Sequence, residues 1–219
     1  MYKHVSSDSG NCNYHVTSNH PPMPIYKDGE LMVRYCKKQR GDYTAIHDYC
    51  IWSDCFNEAF ITAQPAHIYR LLKYMSIAFT SGLPIREKSA SGSKKDESLE
   101  VVEFETDLIK YAEESNYSGW GREQHPIVQR YLRENDPLTI ATELPVFDNE
   151  KTGFIDILRI LPDNTIEIVD FKPKAKKETK AATQISKYRD MLVDLLNIKP
   201  EHVVCTYFDD EVAFRLKTS

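Results

Sequence analysis

The sequence predicts a mixed α/β fold, and three observations carry that prediction. Residues 139–171 contain three short runs rich in Val, Ile, Leu and Phe, separated by turn residues. Helical runs flank this meander at 124–134 and 179–196, where apolar residues recur at helical spacing. Two further strand-like runs follow at 202–208 and 212–216. The order is helix, three-strand meander, helix, then one or two further strands, so one helix crosses over between the meander and a later strand.

Each element has a local reason. The helix at 124–134 has Pro126 near its first turn, where a missing N–H costs nothing, and Ile127, Val128, Tyr131 and Leu132 form its apolar face. The strands at 139–147, 153–161 and 165–171 are separated by Asp148-Asn149 and by Pro162-Asp163-Asn164, whose side chains and φ preferences favour turns. The second helix ends before Pro200, and Asp209-Asp210 turns the chain between the last two strands. Residues 99–114 fit either a helix or a strand leading into one.

The first part of the chain is less regular. Residues 1–30 are polar, with Ser, Asn, His and Pro clusters, and read as loops. Residues 43–79 are aromatic and read as helical, with Ile68, Leu71, Leu72, Met75 and Phe79 at helical spacing before the stop at Gly82 and Pro84. Residues 86–98 are small and charged and read as a linker or mobile loop. The expectation is therefore a mainly helical accessory region over 1–85, a linker over 86–98 and an α/β domain over 99–219.

Composition narrows the class. With 41% hydrophobic and 28% charged residues, the chain is too apolar to be disordered. It has no signal-peptide pattern and no apolar run long enough to span a bilayer, so a cytoplasmic protein without membrane contact is expected. The five cysteines then read as reduced thiols or metal ligands. Cys36, His47, Cys50 and Cys55 could make a four-ligand zinc site, but they lack the paired knuckle spacing and read rather as buried free cysteines and a histidine of a helical module. A net charge of −5 speaks against whole-surface attraction to a polyanion, but a local basic patch can serve instead.

The chemistry lies on the meander. In Ile166-Glu167-Ile168-Val169-Asp170-Phe171-Lys172 side chains alternate, so Asp170 and Lys172 share a face. Asp156 sits in the preceding strand within the apolar run Gly153-Phe154-Ile155-Asp156-Ile157. Two carboxylates on neighbouring strands repel unless a proton or a divalent cation resolves the conflict, and hard oxygen donors of this kind suit Mg²⁺ or Mn²⁺. An isolated Asp-x-Lys on a strand edge is ordinarily a solvated ion pair. Its neighbours give it weight.

Four short motifs occur in order: Gly121 to His125 on the first helix, Gly153 to Asp156 on one strand, Asp170 to Lys172 on the next, and Gln184 to Tyr188 on the second helix. In this combination residues 119–216 resemble the RecB-like branch of the PD-(D/E)xK nuclease superfamily. The resemblance implies a restriction-endonuclease-like core, and a nuclease that hydrolyses phosphodiester bonds in double- or single-stranded DNA by exo- or endonucleolytic cleavage. It implies His125, Asp156, Asp170 and the Phe171 backbone carbonyl as ligands of Mg²⁺ or Mn²⁺, with Lys172 as catalytic lysine and Gln184 and Tyr188 lining the site. Glu143 joins or replaces His125, or pairs with a lysine; Glu123 is the weaker acidic candidate. No iron–sulfur cluster is expected, because Cys205 is the only cysteine after the motifs. Lys174, Lys176, Lys177 and Lys180 form the basic run expected to meet the nucleic-acid backbone. The alternative is a catalytically inactive nucleic-acid-binding or interaction module on the same fold; retention of both Asp170 and Lys172 weighs against it.

Overall fold

β-Branched and aromatic runs broken by Asp, Asn and Pro become strands, and the 3.6-residue repeats become helices, throughout the second half of the chain. In the computed structural model, residues 24–27, 30–38, 44–51, 58–80, 83, 86, 88–90, 95–117 and 124–217 are described, with side chains described from Tyr49 onward. The elements are β1 (Pro24–Lys27), β2 (Glu30–Lys38), β3 (Thr44–Ile51), α1 (Glu58–Thr62), α2 (Ala66–Thr80), β4 (Lys88–Ser89) and β5 (Val101–Glu103). There follow α3 (Asp107–Glu114), α4 (Gln124–Asn135), β6 (Thr139–Phe147), β7 (Lys151–Ile160), β8 (Ile166–Phe171), α5 (Ala181–Leu196), β9 (Val203–Phe208) and β10 (Ala213–Leu216). The fold is mixed α/β.

One mixed sheet runs β1-β2-β3-β6-β7-β8-β9-β10-β5, with β4 pairing β7 from the side. β6, β7 and β8 are antiparallel neighbours, and β9 lies parallel to β8, so α5 is the crossover between them. The turns close as their residues suggest: Asp148 Oδ1 accepts from the N–H groups of Glu150 and Lys151, and Asp163 Oδ1 accepts from that of Thr165. α5 ends at Asn197, which takes up the left-handed conformation common at helix C-termini.

Two apolar clusters sandwich the sheet. α2 and α5 bury Ile68, Leu71, Leu72, Met75, Ile185 and Leu192 against residues of β6, β7 and β8 that include Leu144, Leu158 and Ile168. On the other face α3 and α4 bury Leu108, Ala112, Val128 and Leu132 against Ile157, Val169, Phe171 and Phe208. Ile127 remains more than a third exposed, so α4 packs on a narrower stripe than expected.

The first region departs from expectation. Among its described residues it is not mainly helical: residues 44–51 form β3 rather than a helix, and β1, β2 and β3 extend the sheet through antiparallel pairing of Cys50 with Thr142 and Ile51 with Ala141. Only α1 and α2 answer to the helical reading. Residues 86–98 do not divide two cores, because Lys88 and Ser89 pair with Lys151 and Thr152, and Ala90 is fully buried. Tyr49 donates to the Met75 carbonyl, Tyr74 to that of Pro145, and Arg70 to those of Leu196 and Asn197, so α2 is tied to β3, β6 and α5. The undecided residues 99–114 are β5 followed by α3, capped by the Thr106 hydroxyl. Cys36 and His47 stand on the paired strands β2 and β3, Cys50 is buried, and Cys55 lies outside the described residues. Among the described residues no helix is long and apolar enough to cross a membrane.

Candidate active site

The β7–β8 register places the two aspartates. Pairing runs from Ile160↔Ile166 to Ile157↔Val169, and the next step along both strands brings Asp156 opposite Asp170. Alternation puts both on the face shared by Leu158 and Ile168, which α5 covers. Lys172 follows β8, its N–H donating to the Phe208 carbonyl at 2.9 Å and so continuing the pairing with β9. Its ammonium donates to Asp170 Oδ1 at 2.9 Å and lies 2.8 Å from Oδ2. That second contact is electrostatic and lacks hydrogen-bond geometry; Oδ2 is buried without a hydrogen-bond donor. From α4, His125 Nδ1 reaches Asp156 Oδ2 at 3.0 Å. The Phe171 ring sets the position of that imidazole, edge to face at 5.4 Å, and is itself wedged against Tyr117 and Phe208.

Burial and mutual repulsion divide the charge unequally. Burial, then the negative charge of Asp156, push the Asp170 carboxyl well above the usual range, against the opposing pull of Lys172. Burial also raises Asp156, but the hydrogen bond and charge of His125, then the charge of Lys172, outweigh it and hold that carboxyl well below the usual range. The two carboxyls are thus pushed apart, Asp170 towards its protonated form and Asp156 towards its charged one. His125 and Lys172 follow the same logic: burial opposes their charged forms, and the two carboxylates more than compensate and raise both.

α5 closes the site from above. Gln184 and Tyr188 are one turn apart and bonded to each other, with Gln184 Nε2 donating to the Tyr188 hydroxyl at 3.0 Å. Burial, then the charges of Asp170 and Asp156, keep that phenol protonated, so its own O–H remains available to donate. The ring lies directly on Gly153: a Cβ there would sit 2.2 Å from Tyr188 Cε1. Two motifs separate in sequence thus meet, and the glycine is there because the tyrosine needs its space.

Glu143 is held unusually. The flanking pairs Thr142↔Ile157 and Leu144↔Ile155 put it opposite Asp156, and its φ is 56°, a left-handed value in the middle of a strand. Glu143 Oε1 accepts from Gln129 Nε2 of α4 at 2.7 Å. Gln129 was not among the sequence-derived candidates; a polar residue one turn after His125, between the buried Val128 and Leu132, was the signal available. Gly121 and Glu123 lie outside the described residues. Lys174, Lys176, Lys177 and Lys180 are exposed; Lys174 adopts φ 68°, and Lys176 and Lys177 stand on a 3-10 turn anchored where the Ala175 N–H donates to the buried Asp209 carboxylate at 2.6 Å.

Among the described residues no three His, Cys, Asp or Glu side chains are arranged ready to hold a metal ion. His125 and Lys172 occupy the carboxylates instead. The donor set nevertheless fits a hard divalent cation in its chemistry: two buried carboxyls whose charges repel, a carboxylate oxygen without a donor, and a neighbouring imidazole. An open cavity of about 530 Å³ lies elsewhere, lined in part by Arg159, Glu167 and Arg215 on the opposite face of β7 and β8. Its charges are already matched, with Arg159 donating to Asp136 and Glu167, and Glu167 also receiving Arg215 and Thr206. That network ties α4 to the sheet. Compared with protein-family models, curated proteins and solved structures, the chain matches none.

Proposed function

We propose that this chain is a nuclease of the PD-(D/E)xK type, dependent on Mg²⁺ or Mn²⁺ and cleaving phosphodiester bonds in DNA. The observation that carries the reading is the meeting of His125, Asp156, Asp170, Lys172, Gln184 and Tyr188 around one buried carboxyl pair. The order α4-β6-β7-β8-α5-β9, with β8 and β9 parallel, supports a restriction-endonuclease-like core beneath it.

In this reading Asp156, Asp170, His125 and the Phe171 carbonyl hold the cation, with Glu143 beside them. When bound, a divalent cation supplies Lewis acidity and a water of lowered pKa. Lys172, kept charged by the two aspartates, supplies a fixed positive charge where negative charge grows on the phosphate. Tyr188 and Gln184 offer neutral donors over the carboxylates. The exposed Lys174, Lys176, Lys177 and Lys180 meet flanking phosphates without reading base sequence.

The test is incubation of the purified full chain with linear, circular and single-stranded DNA, with Mg²⁺, with Mn²⁺ and with EDTA. Cleavage is expected with either cation, and loss of cleavage in EDTA and in Asp170→Ala. Cation-independent DNA binding without cleavage makes the chain a non-catalytic binding module. The absence of both binding and cleavage refutes the reading.

A further inference from the structure

The basic run after β8 is held at its backbone while its side chains stay free. The Lys172 N–H donates to the Phe208 carbonyl at 2.9 Å, and three residues on, the Ala175 N–H donates to Asp209 Oδ2 at 2.6 Å. The Ala175 methyl is 1% exposed and packs in the larger apolar cluster. Between these anchors Lys174 takes φ 68°, a left-handed value that a residue bearing a Cβ keeps only where its surroundings over-determine it. The turn then closes on itself, the N–H groups of Lys177 and Glu178 donating to the carbonyls of Lys174 and Ala175. Lys174, Lys176, Lys177 and Lys180 are exposed, and among the described residues no carboxylate forms an ion pair with them. A charged run between a strand and a helix is ordinarily a solvated, mobile loop. This one is fixed.

Asp209 supplies the fixing in a way its own turn does not require. Its Oδ1 accepts from the N–H groups of Glu211 and Val212 at 2.9 Å each, which closes the turn between β9 and β10. An asparagine oxygen serves such a turn equally. The second oxygen reaches across to Ala175. The carboxylate is 3% exposed and among the described residues has no cation partner, so three backbone N–H groups carry its charge. What the charged form adds over a neutral amide is the bridge to the basic turn. The adjacent Asp210 is exposed and accepts from the Tyr117 hydroxyl at 2.6 Å.

We propose that Asp209 is a positioning residue, which locks residues 174–177 into a preformed surface for the phosphates of a nucleic-acid backbone. This rests on the nucleic-acid reading above. The advantage is entropic: lysines on a fixed backbone engage phosphates without first ordering it, whereas a free loop loses that freedom on contact. Such a surface reads charge and spacing and not base sequence.

The test measures binding of linear duplex DNA in EDTA, and single-turnover cleavage in Mg²⁺, for the full-length protein and three variants. Asp209→Asn keeps an oxygen for the β9–β10 turn and sets an NH₂ group against the Ala175 N–H, so it cuts the bridge alone. It also removes a negative charge beside the basic turn, which by charge alone tightens binding to a polyanion. The two effects have opposite signs. Binding is expected to weaken by about 10-fold, what ordering the backbone of about one residue costs, with the rate at saturating DNA near the parental one. Asp210→Asn removes the same charge and keeps an acceptor for Tyr117; it is expected to bind as the parent does or more tightly. In the parent, the Ala175 amide is expected to exchange its hydrogen as slowly as the amides of β8. Parental or tighter binding in Asp209→Asn, an equal weakening in Asp210→Asn, or an Ala175 amide that exchanges like an open loop overturns the proposal. Joint neutralisation of Lys174, Lys176 and Lys177 separates this from the underlying reading. If that variant loses binding and Asp209→Asn does not, only the role of Asp209 fails; if the parent neither binds nor cleaves DNA, the nuclease reading fails and this one with it.

Discussion

Gly153→Ala tests the contact on which the upper wall of the site depends. Gly153 is buried in β7, and an added Cβ would stand 2.2, 2.7 and 2.9 Å from three atoms of the Tyr188 ring. Carbon atoms rest at about 3.5–4.0 Å, so the ring must retreat by roughly 1.5 Å. It has little room to do so, being 4% exposed and packed within the cluster that holds Ile155, Ile185 and Leu192. Overpacking of this kind costs about 1–3 kcal/mol, and three simultaneous clashes with a rigid ring put this case at about 2–3. With a urea m-value of about 2–3 kcal/mol/M, the unfolding midpoint should fall by about 1 M. A second arm isolates the cause. Tyr188→Leu removes the ring, so the double variant should be more stable than the sum of the single losses predicts by at least about 1 kcal/mol. Mn²⁺ affinity should fall in Gly153→Ala as well, because Tyr188 and its bond to Gln184 are displaced. A loss under about 0.5 kcal/mol, or strict additivity with Tyr188→Leu, would refute the reasoning that the glycine exists to admit the tyrosine.

Four other outcomes are expected. Lys172→Ala should lower the single-turnover cleavage rate at saturating DNA with little change in binding, whereas neutralising Lys174, Lys176 and Lys177 together should weaken binding and flatten its salt dependence; the reverse pattern in isotherms at several salt concentrations would exchange the two roles. Mn²⁺ binding should release protons, because Asp170 and His125 are both held above their usual pKa, so calorimetry in buffers of different ionisation enthalpy should give different apparent heats; equal heats would contradict it. For His125 the sign is that of a raised folded pKa: its stabilisation in EDTA is complete below about 6.5 and is lost as pH rises through the folded value, and His125→Gln should flatten that limb of the melting profile. Finally, a chain beginning near Glu97 should fail to fold, as seen by circular dichroism and solubility, since it uncovers the surface that Ile68, Leu71, Leu72 and Met75 bury; a stable, monomeric product would restore the division at 86–98.

The elements from 124 to 216 were legible because their signals are local. The period of the apolar residues distinguishes strand from helix, and Asp148, Asp163 and Asp209 form hydrogen bonds within two or three residues of themselves. The conjunction of Gly153, Asp156, Asp170, Lys172, Gln184 and Tyr188 was legible for the same reason, since strand alternation and the helical turn already assign each side chain a face. β3 was not legible. Its partner β6 lies far along the chain, and a short aromatic run does not reveal whether it will bury its apolar residues by pairing or by coiling. Nor does a charged stretch such as 86–98 indicate that its neighbours share one core.

By itself the sequence determined the order of elements in the second half, and it put Asp170 and Lys172 on one strand face with Asp156 on the strand before. Only the tertiary structure decided how these groups share charge. The upward shift of the Asp170 carboxyl, the contact of His125 with Asp156, and the left-handed Glu143 held by Gln129 all depend on distances between elements remote in sequence. Electrostatic and packing energies change steeply over an ångström, whereas residue spacing along the chain specifies only direction.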